Sequence, residues 1–433
     1  MKVAIHTLGC KVNQYETQAM ELLLQERGHE LVSFEEQADA YIINSCTVTA
    51  VSDRKSRQAV NQAKRREEGA VVALCGCYPQ VSPEETEKLG VDLIGGTGDR
   101  ETFLSLLEEV WQEKSRRVAL DDALSRRTFE QLPGGGLAGR TRAMLKVEDG
   151  CVNFCSYCII PYARGPVRSL PLEAAIFEAK RLSEEGYQEI VLTGIELSSW
   201  GKDFSSGESL ADLIEGISFA APNCRIRLGS LEPRTITEEF CERIATLPNL
   251  CAHFHLSLQS GCDDVLRRMN RKYDTARYLE SVELLRKYFE SPGITTDLIV
   301  GFPGETEEAF AETLDFISRC AFSDLHIFPY SIRPGTPAAK MPAQLTKQQK
   351  AERSARAEQV AARLRQADWE GRIGKEVSVL FEEQKDGLWR GHTEEYLEVF
   401  LHSEKDLKNR IDTVIITAVT PEGLLAEEKH EVR

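Results

Sequence analysis

Short apolar runs alternate with amphipathic stretches along the first 130 residues: VAIHTL, QYETQAMELLLQERG, AYIINS, a helix-like segment past Ser52, VVALC, and further helices. Strand-length runs separated by segments of 3.6-residue period predict parallel strands joined by crossover helices, a doubly wound parallel sheet. QLPGGGLAG then brings four glycines and one proline without periodicity, which predicts a flexible connection over 131–140. A second alternating series supplies six strand candidates, AMLKVE, EIVLTG, RIRLGS, HFHLSL, ITTDLIVG and DLHIFP, between helix-length segments such as LEAAIFEAKRLSEE. Six βα units predict a closed or partly open barrel over 141–370, ending in one long helix from about 345 to 370. Short β-branched strands and turns over 371–433 predict a small C-terminal β-barrel. The fold class is therefore α/β in three units.

The 433 residues suit about three domains and exclude a small disulfide-stapled scaffold. No run approaches the ~18 apolar residues of a membrane helix, and MKVAIHTLGCKVNQYETQ lacks the apolar core and cleavage site of a secretory signal. No membrane association and a cytoplasmic location are expected. A net charge of −16, from 53 basic and 69 acidic residues, argues against wholesale wrapping of nucleic acid and leaves room for a local basic face. Twelve cysteines in a reducing compartment point to metal or redox chemistry instead of disulfides.

Cys151, Cys155 and Cys158 form C-x3-C-x2-C directly after Gly150 and the first barrel strand. A structural zinc site wants four ligands, commonly in paired C-x2-C units, whereas three thiolates on a 4Fe-4S cluster leave one iron open to bind a further molecule. The spacing and its place at the end of a barrel strand resemble the radical S-adenosylmethionine (SAM) enzymes, whose active sites lie at that end of the barrel. The resemblance implies that the open iron chelates SAM and that an electron from the cluster cleaves it to a deoxyadenosyl radical. It also implies a SAM pocket from Tyr157, from Gly194 and Glu196 where the family has a Gly-Gly-Glu stretch, and from Gly301 and Gly304 in LIVGFPGETEE. That last segment reads equally as a strand, a glycine turn and a helix start at Thr306.

Cys10 and Cys46 end the first two predicted strands, and Cys77 follows the third. Parallel strands put these ends on one sheet edge, where such sheets bind ligands, so three thiolates from separate loops can hold a second cluster. Cys75 is the rival third ligand, but it ends an apolar run and is expected to point into the sheet. Cys224, Cys241, Cys251, Cys262 and Cys320 share no such placement.

The motifs TLGCKVNQYE, NSCTVT, GCYPQ, GCVNFCSYCIIPYARGPVRS, HLSLQSGCDDVLRRMNR, DLIVGFPGETEE and FPYSIRPGTPAA run in order through the chain. It resembles the MiaB-like methylthiotransferases, which carry three scattered N-terminal cysteines, a radical SAM barrel and a C-terminal TRAM domain. The resemblance implies two 4Fe-4S clusters, SAM as radical source and methyl donor, an electron donor and a sulfur source. One cluster drives hydrogen abstraction and the other, on Cys10, Cys46 and Cys77, holds the sulfur. The form CKVNQYE is similar to the branch, often called MtaB, that modifies threonylcarbamoyl-adenosine beside the tRNA anticodon. Other branches act on isopentenyl-adenosine or on a ribosomal protein, and a non-catalytic zinc or iron-sulfur RNA-binding module is the reading from another class.

An anticodon stem-loop partner needs cations near the cysteines. Arg54, Lys55 and Arg57 follow Cys46, Lys64, Arg65 and Arg66 come later on the same helix, and Arg164 and Arg168 follow Cys158. Arg267, Arg268, Arg271 and Lys272 form a further run. Residues 371–433 hold nine Lys and Arg against fourteen Asp and Glu, so RNA contact there would fall to a local patch or to stacking on Trp389, Tyr396 or Phe400, each of which reads equally as barrel core.

Overall fold

The computed structural model describes residues 1–136 and 141–429. Its first unit is an all-parallel six-stranded sheet: β1 (Lys2–Thr7), β2 (Glu30–Val32), β3 (Ala40–Ser45), β4 (Val71–Gly76), β5 (Leu93–Gly95) and β6 (Arg117–Ala119), in spatial order β2-β1-β3-β4-β5-β6. Helices α1 (Lys11–Glu26), α2 (Ala50–Arg66), α3 (Cys77–Val81), α4 (Pro83–Glu87) and α5 (Arg100–Glu113) connect these strands. Ile42, Ala73 and Leu93 pack toward α1 and α5, while Tyr41, Ile43 and Leu74 pack toward α2. Both faces are thus covered, as the continuous apolar strands require. The strand order reverses between β1 and β3, which opens a crevice at their C-terminal ends.

The expected six barrel strands are present as β7 (Arg142–Lys146), β10 (Glu189–Thr193), β11 (Arg225–Leu228), β13 (His253–Leu256), β14 (Gly293–Val300) and β15 (Asp324–Pro329). A short antiparallel pair, β8 (Glu148–Asp149) with β9 (Arg168–Ser169), brackets the second cysteine loop, and β12 (Ser230–Leu231) joins β13. Strands β7, β10 and β11 form one parallel sheet and β12 to β15 another, bridged at Ile226 and Leu250. Ala143, Leu145, Ile190, Leu192, Phe254 and Leu298 face the helices. Alternation therefore turns Arg142, Lys146, Glu189, Arg227, His253, His255, Asp297 and His326 to the concave side, and the barrel interior is polar.

The long helix Lys347–Glu370 follows the barrel. β16 (Glu376–Lys385), β17 (Leu388–Thr393), β18 (Glu398–Leu401), β19 (Arg410–Val419) and β20 (Leu424–Glu428) then close into a barrel ordered β16-β17-β18-β20-β19. It docks at the N-terminal end of the central strands: Arg225 donates to the Ser378 carbonyl (2.8 Å), and Arg227 to the carbonyls of Glu394 (2.8 Å) and Thr393 (3.1 Å). Trp389 belongs to this barrel's core and offers no stacking platform to RNA. Tyr396 is clasped between His253 and His392, at ring distances of 5.2 and 4.8 Å, beneath Arg142 and Arg227.

The glycine segment departs from a flexible connection. Leu132 is buried against Tyr15 and Ala19, and Gly135 and Gly136 lie against Leu182, Tyr187 and Gln18, where the missing side chains allow close packing. The rest of that segment, 137–140, lies outside the described residues. Among the described residues, no helix is long and apolar enough to cross a membrane.

Candidate active site

Cys10, Cys46 and Cys77 leave the C-terminal ends of adjacent strands β1, β3 and β4, at the crevice. Cys10 is the N-terminal cap of α1 with extended backbone, and Cys77 is the first residue of α3. Gly9 lies so close to Cys46 that an added Cβ would stand 2.6 Å from the Cys46 Cβ. Cys77 lies within electrostatic reach of both Cys46 and Cys10, whereas Cys75 is enclosed in the core between the sheet and α1 and α5.

Asn13 binds this triplet together. Its Nδ2 donates to the Leu8 carbonyl (2.8 Å) and the Ser45 carbonyl (2.9 Å), and its Oδ1 accepts from Arg164 (2.8 Å). Arg164 and Glu16 belong to a fully buried set: Glu16 pairs with Arg100 (2.8 Å), Arg164 and Lys146 (3.5 Å), and Asp149 with Lys146 (3.3 Å), Arg164 (3.4 Å) and Arg168 (3.5 Å). Four cations meet two carboxylates, and Arg164 Nε is buried with no partner. That surplus positive charge lies beside Cys77 and Cys46. Arg164 and Arg168 are thereby corrected as RNA-binding candidates: both are buried and committed to ion pairs, so no phosphate reaches them.

On the other side, Gly150 has φ +96, and a Cβ on it would stand 2.0 Å from the Pro166 carbonyl oxygen. Only glycine leads the chain from β8 into the Cys151 loop this way. The Cys158 amide donates to the Cys155 carbonyl (2.9 Å), and the Asn153 amide to Cys151 Sγ (3.5 Å). Arg271 Nη1 lies 3.2 Å from Cys155 Sγ and also pairs with the largely buried Glu232. Arg271 is itself enclosed, so it serves the loop and not a nucleic acid, a second correction to the basic runs.

The helix that begins with Cys77 packs against α6 (Ile160–Arg164), which begins two residues after Cys158. Arg333 fastens the Cys46 loop to the segment after β15 through Asp53 (2.7 Å) and Thr47. These contacts tie the first triplet's loops to the helix after the second triplet and to the segment after β15. The large apolar side chains exposed on these loops are Val48, Val51, Val152, Phe154 and Tyr162.

Burial pushes the Cys77 and Cys158 thiols up to about 12, so neither is a free thiolate nucleophile at neutral pH. A metal centre would take the proton's place. Among the described residues, the one His, Cys, Asp or Glu group whose ligand atoms all converge within 4.8 Å is His255, Asp297 and His326. Each cysteine triplet is spaced more widely than one tetrahedral ion with Zn–S bonds of about 2.3 Å would hold it. Among the described residues the partnerless Arg164 Nε beside Cys77 suits an anionic centre on the first triplet.

Glu196 stands over the second loop: its Oε2 accepts from Asn153 (3.1 Å) and Ser199 (2.8 Å), and its amide donates to Glu148 (2.7 Å). Gly194 makes room for Glu148, whose Oε2 would be 2.8 Å from a Cβ there. Glu148, which the sequence did not single out, is held well above the usual carboxylate range by burial, and its Oε1 has no partner. Tyr157 packs beside Met269, Phe302 and Tyr330. The amides of Gly301 and Gly304 are taken by Glu305 (2.7 Å) and the Ala343 carbonyl (2.9 Å), and their open sides face Lys350 and Arg268. Packing at a capped helix start accounts for both glycines. A groove of about 550 Å³ lined by Asp264, Arg268, Gly304, Thr306 and Phe316 includes neither triplet.

Arg54 and Lys55 remain exposed on α2 with no partner among the described residues, and Arg57 donates to the Tyr78 hydroxyl (2.8 Å). Lys64 instead caps the carbonyls of Leu89 (2.6 Å) and Gly90 (2.7 Å).

The family model described as the Radical SAM superfamily matches residues 145–317, and that of the uncharacterized protein family UPF0004 matches residues 2–96. A Bacillus subtilis (strain 168) protein named threonylcarbamoyladenosine tRNA methylthiotransferase MtaB is 40% identical over 427 residues, 96% of this chain and 93% of that protein. The protein of the same name from Aquifex aeolicus (strain VF5) is 39% identical, covering 96% and 100%. A tRNA-2-methylthio-N(6)-dimethylallyladenosine synthase of Moorella thermoacetica is 37% identical over 87% of this chain and 86% of its own. Among solved structures, the radical S-adenosylmethionine methyltransferase TsrM of Kitasatospora setae superposes with a TM-score of 0.57 at 16% identity, covering 78% of this chain and 75% of that one, a likeness of fold.

Proposed function

The chain belongs to the MiaB-like family of radical SAM methylthiotransferases, and from that premise we propose that it inserts a methylthio group into threonylcarbamoyl-adenosine beside the anticodon of tRNA. The radical SAM unit implies SAM and a 4Fe-4S cluster. Cys151, Cys155 and Cys158 hold that cluster in this reading, and Cys10, Cys46 and Cys77 hold a second. Bound there, the clusters supply the electron that cleaves SAM and a site for the sulfur to be transferred.

The observation that carries the two-cluster reading is the buried charge imbalance beside the first triplet. Cations buried in excess of the carboxylates they pair with are costly unless negative charge lies next to them, and a thiolate-ligated cluster supplies it. A neutral trio of packing thiols would leave Arg164 Nε buried without a partner among the described residues. On the chain's own side, Arg271 donates to Cys155, and Glu196 presents an acceptor over the Cys151 loop for the SAM amino group. Tyr157 and Gly194 complete that pocket, while for Gly301 and Gly304 the SAM role rests on resemblance alone. Arg54, Lys55 and Arg57 meet the anticodon stem-loop, and an electron donor and a sulfur source act as further partners.

Nucleoside mass spectrometry on tRNA incubated with anaerobically reconstituted protein, SAM and a reductant tests this reading. A methylthio gain on threonylcarbamoyl-adenosine supports it. A gain on isopentenyl-adenosine or on a ribosomal protein moves the chain to a neighbouring branch, and no deoxyadenosine at all makes it a non-catalytic module.

A further inference from the structure

Three consecutive barrel strands each turn one metal-binding side chain to the concave side: His255 on β13, Asp297 on β14 and His326 on β15. The parallel register makes them meet. Asp297 and His326 are opposed Cα partners, and His255 is opposed to Thr295, two residues before Asp297 on the same face. All three stand within strands and not on loops, so the sheet itself sets their spacing.

The donor atoms of the three all lie within 4.8 Å of one another. His255 Nε2 is 3.4 Å from Asp297 Oδ2, and the rings of His255 and His326 stack at 5.7 Å and 30°. A charge-assisted hydrogen bond between imidazolium and carboxylate is shorter, at about 2.7–2.9 Å. Two donors on one tetrahedral ion, with bonds of about 2.0–2.1 Å, stand about 3.4 Å apart, and that is the separation here.

The surroundings favour coordination over a packed polar trio. His255 Nδ1 lies 2.9 Å from Thr295 Oγ1, and a metal-binding imidazole is commonly held through its second nitrogen in this way. With its proton on Nδ1 for that bond, His255 turns the Nε2 lone pair toward a carboxylate oxygen, and the two repel unless a cation lies between them. Among the described residues Asp297 has no cationic partner besides His255, and His326 makes no hydrogen bond. His326 and, two positions on along the same face, Phe328 are exposed, so an ion held by the trio is reachable from solvent.

We infer that His255, Asp297 and His326 bind one divalent first-row transition-metal ion, in a site separate from both cysteine triplets whose remaining coordination opens on the barrel interior. Imidazole with a single carboxylate suits ions such as Zn²⁺, whereas Mg²⁺ and Ca²⁺ take oxygen sets. Three protein ligands leave a position for water or for an anionic oxygen of a bound molecule. The inference does not depend on the proposed tRNA reaction.

The test uses the anaerobically reconstituted holoenzyme, with iron and sulfide assayed, equilibrated with Zn²⁺ and passed through gel filtration. Zinc per chain is read by plasma mass spectrometry, its first shell by X-ray absorption, and its affinity by equilibrium dialysis. The wild type is expected to keep one zinc with nitrogen and oxygen neighbours at about 2.0–2.1 Å and no sulfur near 2.3 Å. His326→Ala, which removes an exposed side chain, and Asp297→Asn should each weaken zinc binding at least about tenfold at unchanged iron content. Thr295→Val, which removes only the hydroxyl that holds His255, should weaken it by about 10- to 100-fold. A wild type that keeps no zinc, a zinc whose first shell is sulfur, or an affinity unchanged in both His326→Ala and Asp297→Asn overturns the site. Each of these results leaves the sulfur-insertion reading to its own assay.

Discussion

Arg164 in the central unit and Glu16 on α1 of the first unit form an ion pair with no solvent exposure on either side chain, 148 positions apart in the chain. Glu16 lies well below the usual carboxylate range: burial works against that, and the charges of Arg164, Arg100 and Lys146 overcome it. Glu16→Gln leaves three buried cations without their shared anion, and a loss of about 3–5 kcal/mol is expected, read as a lowered urea midpoint. Arg164→Gln should cost less, since Glu16 keeps Arg100 and Lys146. An equal cost for both would mean that Glu16 is not the centre.

Cysteine and glycine substitutions should separate the two clusters. Cys46→Ala is expected to lose about half the iron and all sulfur insertion, with deoxyadenosine still released on reduction. Gly150→Ala sets a methyl against the Pro166 carbonyl and should lose the other half, with deoxyadenosine release abolished. Iron assay and chromatography of deoxyadenosine decide both, and sulfur insertion by Cys46→Ala would end the second-cluster assignment.

Arg271 donates to Cys155 Sγ at 3.2 Å, and hydrogen bonds to cluster sulfurs raise reduction potentials. Arg271→Gln should move the SAM-side cluster to a more negative potential by something on the order of tens of millivolts, followed by redox titration with electron paramagnetic resonance. The signal of the other cluster should stay where it is. A shift of both would point to a general loosening of the fold.

Exposed Arg54 and Lys55 are free to meet phosphate, whereas Arg164 and Arg168 are not. The double change Arg54→Ala with Lys55→Ala is expected to weaken stem-loop binding and to flatten the salt dependence by about 0.7–0.9 in log–log slope per side chain. Folding and iron content should not change. An unaltered slope would exclude α2 from the RNA surface.

At the seam between the two barrels, Glu382 lies at about 2: burial opposes this, and the hydrogen bond from His392 and the charge of Arg142 outweigh it. A depressed carboxylate stabilises the fold above its ordinary pKa of about 4.3 and loses that contribution as pH falls toward the folded value. Hydrogen exchange over 388–393 should therefore rise between pH 5 and pH 2. Glu382→Gln should exchange fast at both ends of that range, and a step that survives in it would assign the acid sensitivity elsewhere.

The strand and helix alternation, the six barrel strands and the closing helix were legible because each rests on local periodicity, which neighbours in the chain set by themselves. The triplet at 151–158 was legible for a related reason: one loop carries all three ligands. That Cys10, Cys46 and Cys77 lie at one sheet edge was legible because parallel strands must end there, and the burial of Cys75 because it ends an apolar run.

The roles of the arginines were not legible, because a charge close to a cysteine in sequence looks the same whether it faces RNA or is walled in. Tertiary structure alone decided that Arg164 and Arg168 are buried: their partners Glu16 and Asp149 come from two different units that must first dock, and the price of burying an ion is set by what surrounds it. Whether a charge is satisfied is a property of the folded surroundings and not of the residue.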